Sequence, residues 1–275
     1  RRDNPIYGEQ KIMLKSVTIG QYIYKNSIIH RLDPRVKILV TLMVMIGLFM
    51  IDRFIGFGLV AISIGLIIYL SRLPYKRVLM GLKPILFIAL FTLILHLFFT
   101  KGGDIVFKLG FVQIYEEGLY MGVFMVVLII LLILFTSLLT LTTSPIELTD
   151  AIEYLLKPFE KIGLPAHELA MMMTIALRFI PTLMEEADKI MKAQQARGAD
   201  FTSGSLLNRA KSLIPLLIPL FISAFRRADD LALAMEARCY RGGENRTRMN
   251  ELEYHSRDIF ALVLSIIFTV IIIFL

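Results

Sequence analysis

The feature that most constrains this chain is its long apolar runs, such as residues 86–99 and 122–141, which contain no Asp, Glu, Lys or Arg. A helix on the surface of a soluble core shows apolar residues every third or fourth position. Runs that are apolar on every face belong in lipid. Composition agrees, with 56% hydrophobic residues, 19% charged residues and a mean hydropathy of +0.69. A soluble domain of 275 residues needs more polar surface than that.

Residues 38–70 are apolar except around Asp52 and Arg53. A single helix of that length would extend for about 50 Å, against a hydrocarbon core of about 30 Å. The segment is therefore expected to turn back near Asp52 and form two short spans. Residues 82–99, 119–141 and 259–275 make a third, fourth and fifth. Lys25, Arg31, Arg35 and Lys37 precede the first span, and Arg72, Lys76, Arg77 and Lys83 lie between the second and third. The opposite loops hold Arg53, then Lys101 and Lys108 offset by Asp104, Glu116 and Glu117. The positive-inside rule then puts the N-terminus in the cytoplasm and the C-terminus outside.

The expected fold is all-α and polytopic: a cytoplasmic segment 1–35, four membrane helices in 36–144, cytoplasmic helices in 145–257 and a fifth span in 258–275. Residues 1–12 precede Met13 and are either a remnant of expression or a native tail. The first apolar block starts only near Val36, so no cleavable signal peptide is read. The insert at 145–257 mixes charges with apolar residues at helical spacing and is too long for a structureless loop. Three helical pieces are predicted, 146–162 (starting at Ser144-Pro145 and stopping at Gly163), 165–195 (stopping at Gly198) and 206–238. The apolar stretch 213–225 contains Pro215 and Pro219 and is too short to span, so it is expected at the membrane face or beneath the spans.

Several function classes are disfavoured. The net charge of +7 sits beside apolar blocks, which suits topology signals and lipid headgroups and implies no nucleic-acid partner. A single cysteine, Cys239, excludes an intrachain disulfide and a Cys-x-x-Cys metal site. No P-loop, nucleophile elbow or His-Glu-x-x-His motif occurs, so no catalytic residue, metal site or cofactor is assigned. Asp229-Asp230 lacks the further carboxylate at position 233, a Leu, that a membrane prenyltransferase needs. His30, His96, His167 and His255 are scattered, and only His96 falls within an apolar block, near its end.

The informative pattern is an internal echo. Ala187-Asp188 returns as Ala228-Asp229, Ala193 as Ala234, and Ala196-Arg197 as Ala237-Arg238, each offset by 41. Both copies end in a small residue, an Arg and another small residue, Gly198 or Cys239. Small neighbours allow close approach, while Arg offers a planar, permanently charged fork. One such Arg follows from the helix macrodipole alone, worth about 0.3–1 kcal/mol. Two in equivalent places suggest two equivalent receptors, such as a dimer of like subunits with a groove on each. Glu185–Lys189 and Asp188–Lys192 are ordinary i,i+4 pairs. Met171, Met172, Met173, Met184 and Met191 suit either plain core filling or a surface that re-packs against a partner.

These residues resemble the transmembrane (T) component of energy-coupling factor transporters. Gly20-Gln21-Tyr22, Ser27, His30, Leu32-Asp33-Pro34-Arg35 and Lys37 look like the family's N-terminal signature. Leu177-Arg178-Phe179-Ile180-Pro181, leading to Gln195-Ala196-Arg197-Gly198, is similar to its most characteristic stretch. Ala237-Arg238-Cys239 resembles its second Arg motif, with Cys where Gly or Ser is more usual. The resemblance runs from residue 19 to the C-terminus.

It implies a non-catalytic subunit in a prokaryotic cell membrane that joins two ABC-type ATPases to a substrate-binding S component. Arg197 would dock on one ATPase and Arg238 on the other, and closure of the ATPase dimer would tip the S component to release substrate inward. The N-terminal signature looks more like the T components shared among vitamin-specific S components than the dedicated cobalt, nickel or biotin ones. A stand-alone secondary transporter is the reading of another class. It would need a mid-membrane site with charged groups, which these spans lack.

Overall fold

In a computed structural model the described residues of the protein are helical apart from one hairpin and the connecting segments. The structure describes residues 22–109, 112–199, 201, 205, 207, 211–242 and 253–275. The tail 1–12, Gly20-Gln21 of the N-terminal signature and the start of the third expected insert helix at Leu206 lie outside the described residues. In chain order the elements are α1 (Pro34–Phe49), α2 (Phe54–Ser71), α3 (Tyr75–Met80), α4 (Lys83–Phe99), β1 (Ile105–Leu109), β2 (Val112–Tyr115), α5 (Glu116–Thr142), α6 (Pro145–Leu156), a 3₁₀ turn (Lys157–Ile162), α7 (Ala166–Ala196), α8 (Ile214–Ala237) and α9 (Ser256–Phe274).

The chain divides into two units, one from Gly20–Ala151 and Asn250–Leu275, the other from Ile152–Met249. Among the described residues of the first, three helices are long and apolar enough to cross a bilayer: α2, α5 and α9. Five spans were expected; among the described residues only these three reach that length, and α1 and α4 fall short of it. α4 has 17 residues and α1 has 16. At 1.5 Å per residue they rise about 26 and about 24 Å, short of a hydrocarbon core of about 30 Å. α1 also begins with Arg35 and Lys37, both buried in protein. The expected turn near Asp52 is present, as the break between Phe49 and Phe54.

The hairpin β1–β2 was not anticipated. It pairs antiparallel, Ile105 opposite Tyr115 and Leu109 opposite Val112, with an irregularity between Ile105 and Phe107. Nine strand residues between two long helices carry too little alternation to stand out from a polar connection.

Val44, Leu48, Val60, Ile64, Leu128, Leu131, Phe135 and Leu138 form the centre of the membrane unit. Phe54, Phe57, Tyr120 and Phe124 add an aromatic cluster between α2 and α5, with Phe57 and Phe124 ring centres 4.7 Å apart. Against lipid, helices gain little from hiding apolar surface, so close packing and small residues carry the association. Gly118 and Gly122 do this where α4 meets α5. A Cβ on Gly118 would lie 2.9 Å from the His96 carbonyl oxygen and 3.0 Å from that of Thr100. Backbone atoms cannot step aside as a side-chain end can.

Gly118→Ala is therefore expected to destabilise the protein by about 1–3 kcal/mol through overpacking. Gly58→Ala, with nothing within 4 Å of its Cβ, should change stability little. Thermal unfolding in detergent compares them, and equal midpoints would show that the α4–α5 contact is not limiting.

Candidate functional site: two matched helix ends

The second unit is built on α7 and α8. Pro165 precedes α7, and Pro181 and Pro219 lie inside the two helices. The insert helices match the predictions at most ends. Ser144 and Glu147 cap α6 reciprocally, Ser144 N donating to Glu147 Oε2 and Glu147 N to Ser144 Oγ. Gly163 ends the following turn in the left-handed region, φ +92°. The last turn of the 146–162 piece is 3₁₀ rather than α.

The two Arg motifs form one repeated structure. At the end of α7, Arg197 N donates to Gln194 O, Gly198 N to Gln195 O and Ala199 N to Gln194 O, at 3.0–3.1 Å. At the end of α8, Arg238 N donates to Met235 O, Cys239 N to Glu236 O and Tyr240 N to Met235 O, at 2.9–3.1 Å. Donors and acceptors correspond throughout at the offset of 41 seen in the sequence. The residue after each Arg is left-handed: Gly198 at φ +89° and Cys239 at φ +54°. That turn satisfies the last carbonyls of each helix and leaves the Arg at its rim. Ala196, Arg197, Gly198, Ala237, Arg238 and Cys239 are all exposed. Neither guanidinium makes a hydrogen bond or ion pair among the described residues.

α7 and α8 meet at Glu186, whose carboxylate accepts from Ser223 Oγ and, at 2.8 Å, from Arg227 Nη2. The Ser223 bond first, and then the Arg227 bond, hold the Glu186 carboxyl below the usual carboxylate range, against some desolvation. Glu186 and Arg227 are themselves 41 apart, so the contact joins equivalent positions of the two copies. Such a self-pairing marks a local pseudo-twofold axis. His167 at the start of α7 bonds Glu153 at 3.0 Å and shares a long bond of 3.4 Å with Tyr240, just past α8. The start of α7 thus lies beside the end of α8, and the helices run antiparallel. Arg197 and Arg238 each sit eleven positions beyond the crossing (186 to 197, 227 to 238), on opposite sides of it. At 1.5 Å per residue they are up to about 33 Å apart, too far for one small receptor.

Sequence reasoning missed the Glu186–Ser223–Arg227 crossing, although the repeat offset was a signal for it. Of the two expected i,i+4 pairs, Asp188–Lys192 forms at 3.4 Å, and Glu185–Lys189 does not form among the described residues. Met172 and Met173 are exposed, whereas Met171, Met184 and Met191 are half-buried. Ile214, Leu217, Ile218, Phe221, Ile222 and Phe225 form an exposed apolar stripe along α8, on the stretch expected at the membrane face.

Asp33, Pro34 and Arg35 belong to the other unit, and they are buried. Asp33 caps α1, its Oδ1 accepting from Arg35 N at 2.8 Å. Its own N–H donates to Asp258 Oδ1 at 2.8 Å, and Asp258 Oδ2 accepts from His255 N at 2.9 Å at the start of α9. The Arg35 guanidinium lies 4.7 Å above the Tyr254 ring. Lys37 Nζ donates to His30 O and Thr142 O, both at 3.1 Å, and Ile23 N to Leu141 O. His30 Nε2 donates to Ile23 O at 3.0 Å, so its Nδ1 accepts from Ser27 Oγ at 2.7 Å. Burial chiefly, with help from nearby Lys37, lowers the pKa of His30. The signature fastens helix ends. Among the described residues, the His96 side chain bonds only Thr100, one turn on, at 3.1 Å.

The family model described as cobalt transport protein matches residues 25–249. An energy-coupling factor transporter transmembrane protein of Thermosediminibacter oceani is 60% identical over 250 residues, covering 91% of this chain and 94% of that protein. The protein of the same name in Clostridium kluyveri is 55% identical over 256 residues (93% and 95% covered), and that of Bacillus subtilis 48% over 263 residues (96% and 99%).

The left-handed residue after each Arg gives a paired test. Gly198→Ala should cost about 1–2 kcal/mol, all of it backbone strain because nothing lies within 4 Å of the added Cβ. Cys239→Gly should relieve the same strain and raise stability by up to about 1 kcal/mol. Thermal midpoints moving in the same direction for both would contradict the matched-end geometry.

Proposed function

The chain belongs to the family of energy-coupling factor transporter transmembrane proteins, and from that premise we propose that it links two ABC-type ATPase subunits to a membrane-embedded S component. Proteins of this family are non-catalytic membrane components of ABC-type transport complexes, as is this chain. The observation that carries the proposal is the pair of matched helix ends, each with an exposed Arg that has no partner among the described residues, on opposite sides of the Glu186–Arg227 crossing. Arg197 docks in a groove of one ATPase and Arg238 in the equivalent groove of the other. ATP-driven closure of the ATPases moves the two ends, and α7 and α8 carry that motion to the S component, which releases substrate inward. The exposed apolar stripe of α8 supports a lipid or membrane-protein contact on this unit.

We read the transported substrates as vitamins, delivered by several S components that share this subunit. The likeness of Asp33-Pro34-Arg35 and its neighbours to the shared T components supports that reading. The S proteins that copurify from the native cell would test it, since a single cobalt- or nickel-binding S protein would replace vitamins with a metal ion. We further place the N-terminus and the insert in the cytoplasm of a prokaryotic cell and the C-terminus outside, supported by Lys25 and Arg31 ahead of α1.

Truncating one partner of a buried, hydrogen-bonded charge pair typically costs about 2–5 kcal/mol, because the other is left unpaired. Arg197→Glu and Arg238→Glu should each weaken ATPase copurification and uncouple transport without unfolding the chain, and the double variant should lose both ATPases. Lys157→Glu, an exposed charge outside both motifs, should assemble normally. Wild-type assembly and uptake by all of these variants would reduce the two Arg residues to helix-end charges.

Orientation has its own test. In a Cys239→Gly background, cysteine at Lys101 should react with an impermeant maleimide added to intact cells, and cysteine at Lys161 only after permeabilisation. The reverse pattern would move the insert outside and remove the ATPases as partners.

A further inference from the structure

A cavity of about 420 Å³ opens in the membrane unit between the segment before α1 and the end of α2. Ser27, Ile28, Arg31, Tyr69, Leu70 and Arg72 line it. Two arginines therefore border one space, and none of the described lining residues is acidic. Neither guanidinium makes a hydrogen bond or ion pair among the described residues. Like charges converging on one cavity repel, and an anion between them removes that cost. Arg72 follows directly on α2, a helix long and apolar enough to cross the bilayer, so the cavity opens at the level of a membrane surface. Arg72 also sits in the left-handed region, φ +54°, a conformation that costs a residue with a Cβ about 1–2 kcal/mol. Gly would serve as a helix stop there, but without the charge.

The remaining walls fit an amphiphile rather than a bare ion. Tyr69 and Ile28 are 80% and 64% exposed, and Leu70 adds a third apolar surface at the rim. An exposed Tyr at the end of a spanning helix occupies the interfacial belt, where ring and hydroxyl bracket the headgroup level. Ser27 is 7% exposed, and its hydroxyl is fixed by the bond to His30, so one wall of the cavity is rigid.

We propose that the cavity bounded by Arg31 and Arg72 binds the phosphate of an anionic phospholipid, with the glycerol backbone against Tyr69, Leu70 and Ile28. Arg31 and Arg72 grip the phosphate oxygens by charge-assisted hydrogen bonds, and the acyl chains pass into the bilayer beside α2. The proposal is independent of the ATPase-docking reading, since all of its residues lie in the membrane unit.

Native mass spectrometry of the full chain, released from detergent with defined lipids, tests it. Phosphatidylglycerol should be retained in preference to phosphatidylcholine, at one molecule per chain. Arg31→Gln or Arg72→Gln should each weaken that retention about five- to tenfold, and the pair should abolish the preference. Arg53→Gln, at the opposite end of α2, should leave it unchanged. Excess inorganic phosphate should not displace the lipid. Wild-type protein gives a readout that needs no variant: phosphatidylglycerol should raise the thermal midpoint above that in phosphatidylcholine, and less so in high salt. Equal retention of the two lipids, an unchanged preference in the double variant, displacement by inorganic phosphate, or equal midpoints would each overturn the proposal.

Discussion

The membrane unit is discontinuous in sequence, and the Asp33–Asp258 contact closes it. Asp258 is 1% exposed, yet its carboxylate is matched by two backbone donors, Asp33 N at 2.8 Å and His255 N at 2.9 Å. A buried carboxylate without such donors carries a large desolvation penalty. Here the donors come from segments more than 200 residues apart, the approach to α1 and the start of α9. The whole insert leaves and returns between α5 and α9, so this contact brings α9 back to α1. Gly47 beside Thr269 continues the same α1–α9 seam, where a Cβ would meet Thr269 Cγ2 at 2.8 Å.

Around that contact, buried polar groups share one task, the satisfaction of helix ends. The last carbonyls of α5 have no partners within the helix, and in an apolar setting each unpaired carbonyl is costly. Lys37 Nζ reaches Thr142 O, and Ile23 N reaches Leu141 O. The ammonium also sits at the negative end of the helix dipole, where a cation is favoured. Replacing Lys37 by an apolar residue would strand carbonyls as well as remove a charge. The N-terminal signature is thus a fastening for α1, α5 and α9, although its residue types alone could equally describe a binding loop.

Local rules were legible in the sequence, and partnerships across it were not. The stops at Gly163 and Gly198, the Ser144-Pro145 helix start and the break near Asp52 each depend on a few adjacent residues. The helix ends at Arg197 and Arg238 were legible because the echo repeats a local pattern. The number of full-length apolar helices was not, because the ends of α1 and α4 are set in the folded chain, where Arg35 and Lys37 are buried. Nothing in the sequence marks Asp258, since its partner Asp33 is fixed only by tertiary structure.

The Glu186–Arg227 pair shows how the repeat bears on mechanism. An ion pair this exposed contributes little to stability, since water screens it and ordering two long side chains costs entropy. Its position matters more than its strength. Because it joins residues 41 apart in a 41-residue echo, it lies on the local twofold between α7 and α8. Motion imposed at one Arg end is then equivalent to motion imposed at the other. With the two ATPases docked as proposed, a lever on this geometry would respond to both moving together, and a single partner would exercise only half of it. The Ser223 hydroxyl, bonded to the other oxygen of the same carboxylate, makes the pivot bidentate and fixes the rotation of Glu186. The contact can therefore be directional without being strong, which suits the coupling motion proposed for α7 and α8.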